Sequence, residues 1–200
     1  EDAAKAVGKS LNQFGAEASE AARFVNVLAA GAKFGSSEVL ATSEALKNAG
    51  VAASSAKLSF EEANAAIQVL AKAGISGSEA GTALRAVLSK LETATEKELR
   101  PSIVGLSTAL VNLAAKNETV TQKVKRFGEE HKDAATFLTN NANLLGELTG
   151  KLTGTNTAFE QSTTNVNNLA GDLKSLGSAY EALAISVGSL ADDEMRRLTQ

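Results

Sequence analysis

The apolar residues of this chain recur three or four positions apart, in short blocks separated by glycine and serine. After Ser59 the series is Phe60, Ala63, Ile67, Leu70 and Ala71; after Ser78 it is Ala80, Leu84, Val87, Leu88 and Leu91. Both series trace one face of an α-helix. No segment alternates with period two for long enough to make a strand. The one proline, Pro101, fits a chain that is mostly helix, while 16 glycines in 200 residues forbid a single rod. As one helix the chain would be roughly 300 Å long at 1.5 Å per residue. The expectation is an all-α fold: a compact multi-helix bundle of helical hairpins leading into a long C-terminal helix.

Further helices follow the same spacing. Phe24, Val25, Leu28 and Ala32 mark an early one, and Leu40, Leu46 and Ala49 give a weaker stripe over 38–50. Ile103, Leu106, Leu110 and Leu113 mark a later one, with Pro101 in its first turn, where a missing N–H is harmless. Val120, Val124 and Phe127 mark a short one. Ser or Thr followed three residues later by Glu can form a reciprocal capping box. That pattern occurs at Ser59/Glu62, Ser76/Glu79, Thr95/Glu98 and Thr157/Glu160. Thr95/Glu98 runs straight into Pro101, so it suits a single turn.

A faint repeat relates Ser19–Glu38 to Phe60–Glu79, each an apolar helix, a Gly/Ser corner and a second helix. It suggests two similar hairpins packed together; chance similarity in an Ala-rich chain is the alternative. The last third carries a different period. With Phe159 at heptad position a, that position also takes Val166, Leu173, Tyr180 and Val187, and d takes Ser162, Leu169, Leu176, Leu183 and Leu190, of which only Ser162 is polar. A sustained 3.5-residue repeat implies a left-handed packing seam. The same register reaches back to Leu138, Leu145, Leu148 and Leu152. Small residues at e (Ala170, Gly177, Ala184) favour close packing in a bundle over a free zipper. These patterns divide the chain into a compact helical domain over 1–154 and, within 155–200, a long helix packing on it or on a partner.

Composition removes several classes of chemistry. There is no cysteine, hence no disulfide, thiolate metal site or Cys nucleophile. A net charge of −3 with mixed signs builds no positive field for sequence-specific nucleic-acid binding. The longest uncharged run, Pro101–Ala115, is too short and too polar to span a bilayer. His131 is the lone histidine, in the charged run "GEEHKD", which reads as a solvated helix face. The adjacent acids Glu61/Glu62, Glu129/Glu130 and Asp192/Asp193 point to different helix faces and make no acid–base pair. No catalytic residue, metal ligand or cofactor is predicted. Arg85 stands amid an apolar helix, either buried or at the surface. Glu1 falls inside a helical pattern and is not Met, which reads as a piece of a longer protein.

The stretch "AGISGSEAGTALR" (Ala73–Arg85) has the glycine content of a phosphate loop. A Walker loop, however, needs a lysine that is missing here, and Glu79 at the helix entrance would repel phosphate. A dinucleotide fingerprint needs a preceding strand, and a helix precedes. The better reading is a corner. Gly74 ends one helix in a left-handed turn, Ser76 or Ser78 starts the next, and Gly81 admits a neighbouring backbone. With Gly31 and Gly35 near the similar corner "KFGSSE" and with Gly77, these are the candidate helix-corner glycines.

"QVLAKAGISGSEAGTALRAVLSKL" (Gln68–Leu91) resembles the recurring core signature of phage tail tape measure proteins. "NVLAAGAKFGSSEVLATSEALKNAG" (Asn26–Gly50), "LRPSIVGLSTALVNLA" (Leu99–Ala114) and "VKRFGEEHKDAATFL" (Val124–Leu138) are similar to its flanking segments. "NNLAGDLKSLGSAYEALAISVG" (Asn167–Gly188) looks like the closing helix, with Tyr180 where tryptophan is often seen. The ordered set covers about residues 14–190. The resemblance implies a structural and assembly role in a phage or prophage tail. That role comprises tail length determination, tube assembly and passage of DNA at injection, through helix packing rather than chemistry. It implies tail tube, tail tip and tail assembly chaperone proteins as partners, and a place inside the virion tail after assembly in the host cytoplasm. A homo-oligomer is compatible with the seam. A bacterial helical scaffolding module with no phage role is the alternative at this point.

Overall fold

The computed structural model describes residues 2–164, with side chains from Val7 onward. It forms a compact unit over Glu1–Ala158 and opens a second unit, Phe159–Gln200. In the first unit the α-helices are α1 (Asp2–Phe14), α2 (Ala21–Phe34), α3 (Val39–Ser55), α4 (Phe60–Lys72), α5 (Gly77–Glu92), α6 (Pro101–Val104), α7 (Leu106–Ala115), α8 (Val120–Phe127), α9 (Lys132–Asn140) and α10 (Ala142–Leu152). Short 3-10 turns fill Ala18–Glu20 and Lys97–Leu99. The described residues contain no strand. The fold is all-α, as the apolar spacing predicts.

Helix α4 is the centre. From Phe60 to Leu70 every residue but Glu62 is buried, and α2, α3, α5, α9 and α10 all pack on it. A helix with nearly every side covered sits in the interior, and the buried polar side chains of α4, Glu61, Asn64 and Gln68, each have a partner there. The two hairpins of the repeat, α2–α3 and α4–α5, lie against each other, α2 on α4 and α3 on α5. At the α1–α2–α4 meeting point Phe24 stacks on Phe60 with ring centroids 3.9 Å apart, and Phe14 stands edge-on to Phe60 at 5.4 Å. Elsewhere the core is built from leucine and alanine, which lets helices approach closely.

The closest approach is between α3 and α5. A Cβ on Gly81 would stand 2.2 Å from the Ala45 carbonyl oxygen. Ala45, Ala49, Ala53 and Ala80 are fully buried around it. Only a residue without a side chain fits where backbone meets backbone.

Several expectations need correction. The α2 face that faces inward is Phe24, Val27, Leu28 and Ala30; Val25 and Ala32 are exposed. On α3 the buried stripe is Thr42, Ala45, Leu46, Ala49 and Ala53, with Leu40 in solvent. A stripe of alanines carries too little hydrophobic contrast to stand out. The helix expected from Pro101 to Leu113 is two helices, broken at Gly105 with φ +81°. Glu62 explains the break: its Oε1 accepts from the Leu106 N–H at 2.8 Å and caps the start of α7. Glu92 does the same for α6, accepting from the Ser102 N–H and hydroxyl at 2.6 Å each. Carboxylates at helix N-termini satisfy free N–H groups and oppose the positive end of the dipole. Leu138 and Leu145 share a heptad register yet lie on separate helices, α9 and α10, both buried.

The caps also sort out. Ser59 accepts from the Glu62 N–H at 3.0 Å, though the Glu62 side chain is spent on α7 rather than returned. Ser76 caps α5 by position and makes no side-chain bond. The turn after Thr95 is the 3-10 turn Lys97–Leu99, with no side-chain cap. At the end of the unit, Thr157 already lies in the helical stretch 157–164, and Thr155 supplies the hydroxyl that accepts from its N–H at 3.2 Å. The complete reciprocal box belongs to Thr119 and Gln122 at the start of α8. Gln122 takes the place of the glutamate in the Ser/Thr–Glu pattern, and glutamine serves equally.

Candidate functional site: two glycine corners and a buried amide latch

The α4–α5 corner is made by backbone. Gly74 has φ +83°, its N–H donates to the Ala71 carbonyl at 2.9 Å, and the Ile75 N–H returns to the Leu70 carbonyl at 3.1 Å. This is the left-handed ending that glycine suits. Gly77, at φ +55°, begins α5. Glu79 lies in that first turn, and a Cβ on Gly77 would stand 3.1 Å from the Glu44 carboxylate. Two acids therefore crowd the helix entrance, where a phosphate would have to bind.

The α2–α3 corner is made by a side chain. Gln68, projecting from α4 and buried, accepts at Oε1 from the N–H groups of Ser36 (2.8 Å) and Ser37 (2.6 Å). Its Nε2 donates to the Ser37 carbonyl (3.2 Å), the Thr42 hydroxyl (3.0 Å) and Asn64 Oδ1 (3.2 Å). Asn64 in turn donates to the Val27 carbonyl at 3.0 Å, and the Thr42 hydroxyl to the Ser37 hydroxyl at 3.1 Å. The Gln68 and Asn64 amides thus tie α4 to α2, the corner and α3. A fully satisfied buried network of this kind fixes one arrangement of helices.

The glycines of this region serve the latch. A Cβ on Gly35 would stand 2.2 Å from Gln68 Oε1, and one on Gly31 would stand 2.7 Å from Asn64 Oδ1. Gly31 and Gly81 do not sit at corners, as the sequence suggested. They lie inside α2 and α5, where they make room for the latch amides and for the α3 backbone. Gly35, Gly74 and Gly77 lie at or beside helix ends. Neither Gln68 nor Asn64 was singled out from sequence. Their signal was two amides four residues apart in an otherwise apolar helix, "FEEANAAIQVL".

The other sequence candidates disperse. Glu61 pairs with Arg23 at 2.5 Å while Glu62 caps α7, so the adjacent acids serve opposite sides. The Glu20 hydrogen bond, aided by Glu61 and opposed by partial burial, raises the Arg23 guanidinium above its ordinary range. Arg85 is exposed. His131 stands in the turn before α9 rather than on a helix face. Among the described residues no group of three acids or histidines could hold a metal ion. No described helix is long and apolar enough to cross a membrane. Of the heptad seam, Phe159 is 73% exposed; Val166, Leu169, Leu173, Leu176, Tyr180, Leu183, Val187 and Leu190 lie outside the described residues.

What this unit offers is surface and packing. An apolar groove of about 520 Å³ runs between α1, α2 and α3, lined by Val7, Leu11, Val25, Leu28 and Val39. Beside it the Asn26 side chain of α2 accepts from the Ala158 N–H at 2.9 Å. The model of the phage-related minor tail protein family matches residues 1–200. The chain belongs to that family.

No curated protein and no solved structure matches the chain. Membership of the minor tail protein family supports a structural role in a phage tail.

Proposed function

We propose that this chain is the structural and assembly segment of a tape measure protein, working by helix packing and not by catalysis. The observation that carries the reading is the placement of the resembling segments. Asn26–Gly50 forms α2, the corner and α3; Gln68–Leu91 spans the end of α4 and α5. The two interlock through Gln68 and Gly81. Within the second segment Gln68, Leu70, Gly81, Leu84, Val87, Leu88 and Leu91 are buried and Gly74 and Gly77 form the corner, which is where a packing role would need them.

In this reading the compact unit is a docking or assembly module, and the ruler lies in another part of the full protein. Its partners are tail tube and tail tip proteins, with tail assembly chaperones covering it beforehand. It lies inside the tail tube, after assembly in the host cytoplasm.

Protease protection tests this in the phage that carries the gene. Intact virions should contain the chain and shield it from added protease, and triggered ejection should make it cleavable. Virions lacking the chain would refute the tail role. Cleavage in intact virions would refute the interior placement while leaving the tail role standing.

A further inference from the structure

Of the eight residues of α8 only Phe127 is buried. The helix packs on α5 and α9, and a cleft of about 230 Å³ beside it is lined by Leu113 of α7, Phe127 of α8 and Thr136 of α9. Few buried apolar side chains mark a segment that can open at less cost than global unfolding.

The segment is braced within itself. Glu118, just before α8, accepts at Oε1 from Arg126 near its end, through Nε at 2.8 Å and Nη2 at 2.6 Å. Thr119 and Gln122 form the complete capping box at its start. Two left-handed residues bound it, Asn117 at φ 49° and Gly128 at φ +81°. Each lies outside a helix, so 118–127 can swing as one body while α7 and α9 stay intact.

Little ties this body to the rest. Among the described residues one side-chain bond crosses, from Arg126 Nη2 to Glu96 Oε1 at 3.4 Å. Both partners are partly exposed, and such pairs contribute little. The apolar hold is Phe127, 2% exposed. Closure also carries a cost. Glu118 Oε2 is buried and accepts no hydrogen bond from any described residue, an expensive state for a carboxylate oxygen. Parting α8 from its neighbours would give that oxygen to water. We propose that 118–127 is a strap that opens as one unit about Asn117 and Gly128, releasing Phe127, while the rest of the helical unit stays folded.

The test is native-state hydrogen exchange on the full chain, followed by amide NMR in low urea. The α8 amides from Lys123 to Gly128 should share one opening equilibrium, at least a hundredfold more open than Ile67 and Leu70 of α4. That opening should vary little with urea, because it exposes little surface, whereas α4 opening should rise steeply. Two variants assign it. Phe127→Leu should raise α8 opening about tenfold. Ile67→Val, deep in α4, should raise α4 opening about threefold and leave α8 opening unchanged. The proposal is overturned if α8 opens with the constant and urea slope of α4, or if its amides exchange one by one from the helix ends. It is also overturned if Ile67→Val speeds α8 as much as α4, or if Phe127→Leu leaves α8 opening unchanged.

Discussion

The two Gly/Ser corners of this molecule look alike in sequence and are held in different ways. At the α4–α5 corner Gly74 adopts φ +83° with open space where a side chain would be. At the α2–α3 corner Gly35 has φ −105°, a value any residue adopts, and what it lacks is room. One glycine is required by conformation, the other by a neighbour. A repeat legible in the chain therefore does not imply a repeated mechanism. The second hairpin lends a buried side chain, Gln68, to fix the corner of the first, and receives only an exposed one, Asn48 of α3, which donates to the Ser78 carbonyl at 3.2 Å.

The sharpest way to break this comparison is to remove the lender. Gln68→Ala leaves the buried Ser37 N–H without its acceptor, empties part of the core and releases Thr42 and Asn64. An unsatisfied buried donor costs about 1–3 kcal/mol, and the lost volume adds to it. We expect a loss of about 3–4 kcal/mol in urea unfolding, with hydrogen exchange accelerated first at Ser37 and Thr42. Unchanged exchange at the α2–α3 corner would mean that the corner holds itself.

Gly35→Ala comes next. The new methyl would displace Gln68 from its partners, for a loss of about 2 kcal/mol, within the usual range for overpacking. The diagnostic is a double-mutant cycle. If Gly35 matters only because Gln68 fills its space, the substitution should cost little once Gln68 is alanine. Additive losses would show that the corner needs glycine for its own sake.

These residues also show how far the sequence could be read. Strong helices such as α4 and α5 were legible because Phe60, Ile67, Leu70, Leu84, Val87 and Leu91 contrast with polar neighbours. The α3 face was poorly legible, since alanine gives little contrast and of the two leucines in the stripe Leu46 is buried while Leu40 is exposed. The break at Gly105 was hidden because the capping Glu62 lies 44 residues before Leu106, whose N–H it accepts from. The latch was invisible for a similar reason: an amide in an apolar helix becomes informative only when the loop it reaches is known. Gly81 admits the α3 backbone, as its sequence reading has it, but Gly31 lies inside α2 and not at the corner, because sequence cannot separate a glycine that turns from one that makes room.

Gly74→Ala tests the conformational corner. With nothing within 4 Å of the new methyl, the cost should be that of the left-handed backbone alone, about 1 kcal/mol. Asparagine should be tolerated better there. Most tellingly, the cost should be the same with or without Gln68. Coupling between Gly74 and Gln68 would make the two corners one device, and the contrast drawn here would fall.

The smallest effect separates a cap by position from a cap by bond. Ser76 precedes α5 in an extended conformation without a side-chain bond, whereas Ser59 precedes α4 and accepts from the Glu62 N–H. Ser59→Ala should cost about 1 kcal/mol, the usual value of a bonded N-cap. Ser76→Ala should cost less than about 0.5 kcal/mol, as an exchange away from any bonded feature does. Thermal melts of the two variants, run side by side, resolve the difference. Equal losses would show that the Ser76 hydroxyl caps α5 in solution. The α4–α5 corner would then also depend on a side chain, leaving the two corners differing only in which residue supplies it.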